Sequence, residues 1–482
     1  MTWRLPHPLW RTYLLILVVD MDPITKHQIA QWTGGTPSKG GAELVRRVVT
    51  NSRDVKPGDL FVALRGERFD GHDFIPQVIA QVAEQTAQGP GEIVVLAERD
   101  RGARPSGVSV VEVEDTLAGL QRIASGYRRA LPARVVGVTG SSGKTSTKDF
   151  TFAVLSSKLR GWCTQGNLNN HIGVPLTLLN GEHAAEFGVV EMGMNHAGEI
   201  APLAAMAAPE VGIITNIGVA HIEFLGSREA IAREKGALAS AIGAHGAVVL
   251  SAEDSFTPMI SEMTEAQVLT AGIGCGEVQA INVFPTEGGS RFGIVHEGAL
   301  AEFELSVPGL HMVRNAALAV AAGLVLGVSL EAAAEGLRGM TLTKGRMENR
   351  LVRGVQFLDD TYNANPDSMR AALATLAQWP AAGKRIAVLG RMGELGSFAE
   401  EGHREVGRAA VSGIDRLITV GAEADWISAE AVRHGLGDVV HFENPESAVD
   451  ALRQMWMPGD VVLVKGSRSS RMERIIEEVA RP

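Results

Sequence analysis

The chain has 482 residues, enough for about three domains of roughly 100–200 residues each. With 45% hydrophobic residues, 55 glycines and 5% aromatics, its composition suits α/β domains rich in tight strand-to-helix turns and argues against disorder. The net charge of −10 excludes a general affinity for nucleic acid or anionic membranes, so any anionic ligand must be held by local devices: glycine loops, helix N-termini, metal ions and a few placed cations.

The first twenty residues carry the apolar run Leu14–Val19, with Arg4 and Arg11 before it. A secretory signal needs about 7–15 apolar residues and a small-residue cleavage site. This run is shorter and ends at Asp20-Met21-Asp22-Pro23. A membrane span needs about 20 apolar residues. Residues 1–20 therefore read as a mis-assigned start, with Met21 as the beginning, or as an extension packed on the first domain.

From Ile24 to about Val113 the pattern is mixed α/β. A short helix around Ile29–Trp32 ends at Gly34-Gly35, and strands are expected at Leu60–Leu64, Ile93–Leu96 and Val108–Val113. Asp115 is a helix N-cap, and Leu117, Leu120, Ile123 and Ala124 share one face of a helix that reaches Ala130 and stops before Pro132. Strands at Val135–Val138, Phe187–Val190, Val211–Thr215 and Ala247–Leu250 alternate with helix-length segments, which implies a parallel sheet covered on both faces. From about Gly345, four further strands (Phe357-Leu358, Ile386–Leu389, Leu417–Val420 and Val461–Val464) form a smaller Rossmann-like domain. Cys163 and Cys275 have no metal or redox spacing and read as two reduced thiols.

Strand Val135–Val138 runs into Thr139-Gly140-Ser141-Ser142-Gly143-Lys144-Thr145-Ser146. Glycines allow backbone N–H groups to curl round phosphate oxygens, and the following helix turns its positive end to the same place. Lys144 can reach the outer phosphates and the Thr145 hydroxyl can ligate Mg²⁺. The spacing departs from G-x-x-x-x-G-K-[ST], because position 138 is Val. An ordinary Ser/Gly turn before Lys-Thr is the plain alternative; the strand before it and the helix after it favour nucleotide binding. The loop does not specify the reaction.

The run Gly137–Thr145 resembles the ATP loop of the Mur ligase family. Three further segments resemble that family: Asn167–Pro175, Val190–His196, and Thr215–His221 followed by Glu234-Lys235-Gly236. The likeness extends over about residues 24 to 480. It implies three α/β domains: a small UDP-substrate-binding domain at 21–113, a central P-loop ATPase domain with a parallel sheet at 114–340, and a C-terminal Rossmann-like domain at 341–482. Phe61–Phe74 and Asp359–Pro366 are similar to segments of the members whose amino donor is D-alanyl-D-alanine, and the Asp-Asn-Pro-Arg signature of the tripeptide-forming members is missing.

The implied activity is ATP-dependent ligation of D-alanyl-D-alanine to UDP-N-acetylmuramoyl-tripeptide through an acyl phosphate. That is the last cytoplasmic amide-forming step of peptidoglycan precursor synthesis. Both chemical steps crowd negative charge, so catalysis is mostly positioning and neutralisation. The implied cofactors are ATP, two Mg²⁺ ions and a carbamylated Lys235; the implied form is a cytoplasmic monomer without nucleic-acid or membrane partners.

Taken alone, Glu191, His221 and Lys235 are more often a solvated carboxylate, a structural histidine and a solvated helix lysine. The resemblance makes Glu191 a metal ligand at a strand's carboxyl end, His221 a group near metal and acyl phosphate, and Lys235 an N-carboxylated anion for a second Mg²⁺. Lys144, His221 and Lys235 are the implied catalytic set, and Thr145 joins the metal ligands. Asn315 matches the adenine-contacting position, Arg346 an arginine delivered to the phosphates on domain closure, and Asp360 the ribose ligand. Ser52 and Arg53 match the uridine segment, with the run containing Gly66, Asp70 and His72 as its partner. Asn363 and Asn365 belong to the donor signature. Lys465, Ser467 and Arg468 are implied contacts to the peptide substrate, or simply a capped helix start.

Three positions depart from the family pattern: Asn51 and Arg391 each replace an Asp, and Met312 replaces an Asn. Asn51 touches only the detail of uridine binding. Met312 leaves the adenine contact to Asn315, and Arg391 alters how the third domain meets substrate. The rival readings are a family member with another amino donor, a folylpolyglutamate-forming relative, which lacks the first domain, and a nucleotide-binding regulator without catalysis.

Overall fold

The computed structural model describes residues 18–38, 42–85, 93–101, 108–286 and 288–481. The described chain folds as two compact units. One holds the described residues up to Ala133 together with Asn167–Val190; the other holds Arg134–Gly166 and the chain from Glu191 onward. The apolar run expected at 14–19 lies outside the described residues except at its end. Val18–Asp20 continue strand Val18–Thr25 and pair antiparallel with Val49–Arg47.

In the first unit six strands stand in the order Val18–Thr25, Leu44–Val49, Asp59–Val62, Val94–Glu98, Ser109–Val113, Thr36–Pro37. The middle four are mutually parallel, and the inner strands Asp59–Val62 and Val94–Glu98 are buried on both faces, as parallel strands require. Helix Lys26–Thr33 starts on a Thr25/Gln28 capping box and ends where Gly34 takes φ +68, a left-handed cap that costs glycine little. Helix Thr116–Ala130 is capped by the Asp115 carboxylate on the Ala118 N–H, as expected, and buries Leu120, Ile123, Ala124 and Tyr127. Tyr127 accepts from the Asp22 N–H (3.0 Å) and donates to the Gly181 carbonyl (2.6 Å), so this buried ring finds the polar partners it needs.

In the second unit the large sheet contains parallel strands Arg134–Thr139, Val211–Ile214, Ala247–Ser251 and Gln267–Ile273 in spatial succession. It continues through Val278–Thr286 into an antiparallel meander with Gly289–His296 and Ala299–Leu305, an extension that the short alternating runs did not announce. Helix Leu310–Val325 is apolar nearly all round and correspondingly buried. Further along, a six-stranded sheet runs Glu348–Val352, Val355–Asp360, Val461–Lys465, Arg385–Gly390, Arg416–Val420, Val439–Phe442. The four expected strands are all present; an antiparallel edge strand at Glu348–Val352 and a parallel one at Val439–Phe442 complete it. Among the described residues no helix is long and apolar enough to cross a membrane.

Candidate functional site

Open parallel sheets bind ligands beyond the carboxyl ends of their strands, and the expected phosphate loop lies there. Strand Arg134–Thr139 ends in Gly140 at φ +149; Gly143, at φ +78, is the cap of helix Lys144–Ser156, and no side chain caps that helix end. The next strand supplies the loop's support. The Thr215 hydroxyl donates to the Ser142 carbonyl (2.5 Å), and Asn216 accepts the Ser141 N–H on its carbonyl and the Ser142 N–H on Oδ1, both at 2.9 Å. The Gly218 N–H donates to Ser141 Oγ (2.9 Å). A Cβ on Gly140 would sit 1.8 Å from Thr215 Oγ1, and one on Gly143 would sit 2.7 Å from Asn315 Oδ1. Both glycines are therefore demanded by close approach as well as by φ. Asn315 thus reaches the loop itself.

Lys144 folds back so that Nζ donates to the Gly140 carbonyl (2.8 Å). Burial draws its pKa below the usual lysine value, opposed by Glu191 and Glu394 and reinforced by Arg346. Glu191 is 2% exposed. Its N–H donates to Thr164 Oγ1 (2.9 Å), and the Thr164 carbonyl accepts from the buried Lys148 Nζ (3.0 Å). The following residue is bound to the loop strand: the Met192 N–H donates to the Val138 carbonyl, and the Thr139 hydroxyl donates to the Met192 carbonyl, both at 2.8 Å. The carboxylate is thereby held beside the phosphate loop.

His221 stands at φ +63 before the short helix Ile222–Leu225, with Nδ1 2.7 Å from Glu394 Oε2. Burial lowers its pKa against the pull of Glu394. Lys235, on helix Arg228–Ser240, is 1% exposed rather than solvated, and it makes no hydrogen bond or ion pair among the described residues. Burial, then Lys144, pushes its pKa well below the lysine range.

The six-stranded sheet contributes from its own carboxyl ends. The Arg346 guanidinium donates from Nη2 to Thr145 Oγ1 (2.8 Å) and lies 4.1 Å from the Tyr362 ring centroid. Asn365 caps helix Pro366–Gln378, and its amide donates to Ser142 Oγ (2.9 Å). The Asp367 carboxylate accepts from the Val219 N–H (3.1 Å). Asp360 is buried and accepts from Lys465 Nζ (2.6 Å), which also donates to the Asn363 carbonyl (2.9 Å). Asn363 itself turns its amide oxygen to the Ala364 N–H. Ser467 does not cap a long helix: a 3-10 turn at Arg468–Ser470 follows it, and the helix begins at Glu473. Arg468 is exposed beside Glu473. The second unit thus assembles Gly140–Ser146, Glu191, His221, Asn315, Arg346 and Asn365 around one loop, with Lys235 acting electrostatically on Lys144 and His221.

In the first unit, Ser52 and Arg53 form a 3-10 turn in which Asn51 Oδ1 accepts the Arg53 N–H. The Asn51 amide also reaches Asp54 (2.8 Å), a donation that an aspartate could not make. Gly66 opens a narrow loop by donating to the Phe69 carbonyl (2.9 Å). Asp70 caps the turn at Gly71–Phe74. His72 is 2% exposed with both ring nitrogens engaged, Nδ1 with Asp70 and Nε2 with the Glu98 N–H, so it shapes the loop from within.

Sequence reasoning assigned no role to Asn216, Thr215, Asp367, Tyr362 or Glu394. The first four lie in or beside segments quoted for the resemblance, and Glu394 lies near the departure at Arg391, but only the fold points them at the loop.

Three family models match the chain: "Mur ligase family, catalytic domain" at residues 44–128, "Mur ligase middle domain" at 138–323, and "Mur ligase, glutamate ligase domain" at 345–468. The chain belongs to the Mur ligase family. It is 37% identical to the UDP-N-acetylmuramoyl-tripeptide--D-alanyl-D-alanine ligase of Bacillus subtilis, over 94% of this chain and 98% of that one. The Escherichia coli protein of the same name is 36% identical, over 89% and 92%. Among solved structures, a MurF of Acinetobacter baumannii superposes with a TM-score of 0.87 at 32% identity, covering 96% of this chain and 100% of that one. A MurF ligase of Thermotoga maritima in complex with ADP gives 0.79 at 30% identity, covering 90% and 96%. As a Mur ligase, the chain has the three α/β domains that the resemblance implied.

Proposed function

We propose that this Mur ligase joins D-alanyl-D-alanine to UDP-N-acetylmuramoyl-tripeptide at the expense of ATP, in the cytoplasm and as a monomer, with domains at about 21–113, 114–340 and 341–482. The terminal carboxylate of the tripeptide takes the terminal phosphoryl group of ATP, and the dipeptide amine then displaces phosphate from the acyl carbon. The observation that carries the ATP-dependent step is the loop Thr139–Ser146 with Lys144 folded back onto it and Arg346 reaching it at Thr145, and the choice of donor rests on the likeness to D-alanyl-D-alanine ligases. One chain supplies every group named.

The residues act as follows. Loop N–H groups other than those of Ser141 and Ser142, which Asn216 holds, and the uncapped helix end receive the phosphates. Lys144 exchanges the Gly140 carbonyl for phosphate oxygens. Arg346, stacked on Tyr362, carries a fork of donors to the transferring group. Asn315 contacts adenine and Asp360 the ribose. In the first domain, Ser52, Arg53 and the loop from Gly66 to Asp70 hold the uridine nucleotide, with His72 fixing that loop. Asn363, Asn365, Lys465, Ser467 and Arg468 face the peptide and donor, with Lys465 acting through Asp360 and Asn363.

The donor set fits magnesium. Among the described residues no three His, Cys, Asp or Glu side chains converge. A hydroxyl at Thr145, the Glu191 carboxylate and His221 leave room for water and phosphate oxygens, which Mg²⁺ prefers over an all-protein cage. When bound, Mg²⁺ neutralises phosphate charge. Lys235 suits carbamylation: burial draws its pKa well below the usual lysine value and so favours the free amine, which adds to CO₂, loses a proton and leaves a carbamate anion that could hold a second Mg²⁺.

The test is phosphate release from ATP with UDP-N-acetylmuramoyl-tripeptide, with and without D-alanyl-D-alanine. Stimulation by the dipeptide, and not by single amino acids, is expected. No stimulation overturns the assignment.

A further inference from the structure

The loop after strand Arg385–Gly390 carries a carboxylate to which the reaction above assigns no task. Glu394 stands there at φ +60, a left-handed backbone that a residue with a side chain adopts only when its surroundings enforce it. The enforcement is visible. Two residues on, Gly396 takes φ +52 and lies so close to the segment after His221 that a Cβ would be 2.8 Å from Glu223 Cγ. The Glu394 side chain, 29% exposed, puts Oε2 2.7 Å from His221 Nδ1, and Lys144 and His196 act on the same carboxylate through longer-range electrostatics.

Three carboxylates on other loops of this sheet are committed elsewhere. Asp360 is held by Lys465 (2.6 Å), Asp367 by the Val219 N–H and Arg370, and Glu423 faces Arg391 at 3.6 Å. Among the described residues the basic side chain within 4 Å of the Glu394 carboxylate is an imidazole, not a lysine or arginine. A carboxylate with a weakly competing partner, open in part to solvent and next to the loop where acyl transfer would occur, is the chemistry that receives an ammonium group. We infer that Glu394 binds the α-ammonium of the incoming dipeptide, releasing His221 as the donor arrives and aligning the nitrogen with the acyl carbon, which it attacks as the free amine once its proton has passed through this part-exposed carboxylate to solvent. This rests on the ligase reading above.

The experiment compares full-length wild type, Glu394→Gln and Glu394→Asp. It measures KM for ATP, UDP-N-acetylmuramoyl-tripeptide and D-alanyl-D-alanine, inhibition by N-acetyl-D-alanyl-D-alanine, and tripeptide-dependent positional isotope exchange in ATP without dipeptide. Losing one charge-assisted hydrogen bond should raise the dipeptide KM of Glu394→Gln by about tenfold or more. Isotope exchange and the other two KM values should stay within about twofold. Wild type should bind the dipeptide far better than its N-acetyl analogue; Glu394→Gln should lose that preference, and Glu394→Asp should recover part of it. An unchanged dipeptide KM, or equal loss in all three KM values together with isotope exchange, overturns the inference, the second result marking Glu394 as a structural partner of His221. Equal wild-type affinity for dipeptide and N-acetyl analogue overturns it without any variant. A wild type whose phosphate release ignores the dipeptide sinks the ligase reading instead.

Discussion

Gly140→Ala tests the shape of the phosphate loop directly. At φ +149 an alanine is strained, and its Cβ would fall 1.8 Å from Thr215 Oγ1 and 3.0 Å from Thr215 Cβ. Relief requires Thr215 to turn away, which breaks its 2.5 Å hydrogen bond to the Ser142 carbonyl. Left-handed strain costs roughly 1–2 kcal/mol and a neutral hydrogen bond about 0.5–1.5 kcal/mol. The sum, about 1.5–3.5 kcal/mol, falls on the loop and not on a hydrophobic core. At 1.4 kcal/mol per decade, nucleotide affinity should drop roughly 10–300-fold if the strain is relieved in the apo protein and re-imposed on binding. Calorimetric titration with ADP and Mg²⁺ measures it, beside thermal melting. Gly140→Ala/Thr215→Ala removes the clashing hydroxyl, so the double variant should bind ADP better than Gly140→Ala alone, a coupling of the kind double-mutant cycles isolate. Wild-type affinity in Gly140→Ala would refute the loop geometry, and with it the reason for placing triphosphate there.

Lys235→Ala should lose roughly 10²–10³ in kcat, as does removal of one preorganised charge from a reacting site, and short carboxylates such as formate should restore part of it if a carbamate is the working group; no rescue, with a solvent-pointing amine in the active state, counts against carbamylation. Arg346→Ala should cut kcat by about 10³ with little change in ADP affinity, and Arg346→Lys should recover little because an ammonium lacks the fork that both reaches Thr145 and stacks on Tyr362; full activity of the lysine variant would remove Arg346 from the transfer step. His403 is buried, accepting the Met392 N–H on Nε2 at 3.0 Å, and burial lowers its pKa. His311 is lowered the same way to about 4. For both, the unfolded chain binds the proton more readily, so their stabilisation is complete above an unfolded value near 6.5 and is lost as pH falls below it toward the lowered folded value. Urea unfolding measured stepwise between these limits should show stability declining, with His403→Asn flattening part of the slope; stability that holds or rises as pH falls would contradict the burial of these rings.

Much of the site was legible because its elements are local. A strand, two glycines, Lys-Thr and a helix are contiguous from Arg134 to Ser156, and the physics of a phosphate cradle acts over that same span. The Asp115 cap and the Gly34 stop were legible for the same reason: each is a bond or a φ value within four residues. The strands Glu348–Val352 and Val439–Phe442 were not, because they are edge strands whose half-exposed residues carry no continuous apolar run. The antiparallel meander through Val278–Leu305 escaped for a related reason, mixing exposed and buried positions without a strict alternation.

By itself the sequence determined the family, the phosphate loop and the chemical types available, since these depend on residue identity at short spacing. Tertiary structure decided which side chains meet. Lys235, which its helix alone would leave in water, is buried; His72, read as a ligand contact, is an internal brace; and Glu394, 173 positions beyond His221 in the chain, lies against its imidazole. Those outcomes turn on burial and on contacts across long loops, where desolvation sets the charge state and no local pattern records the partner.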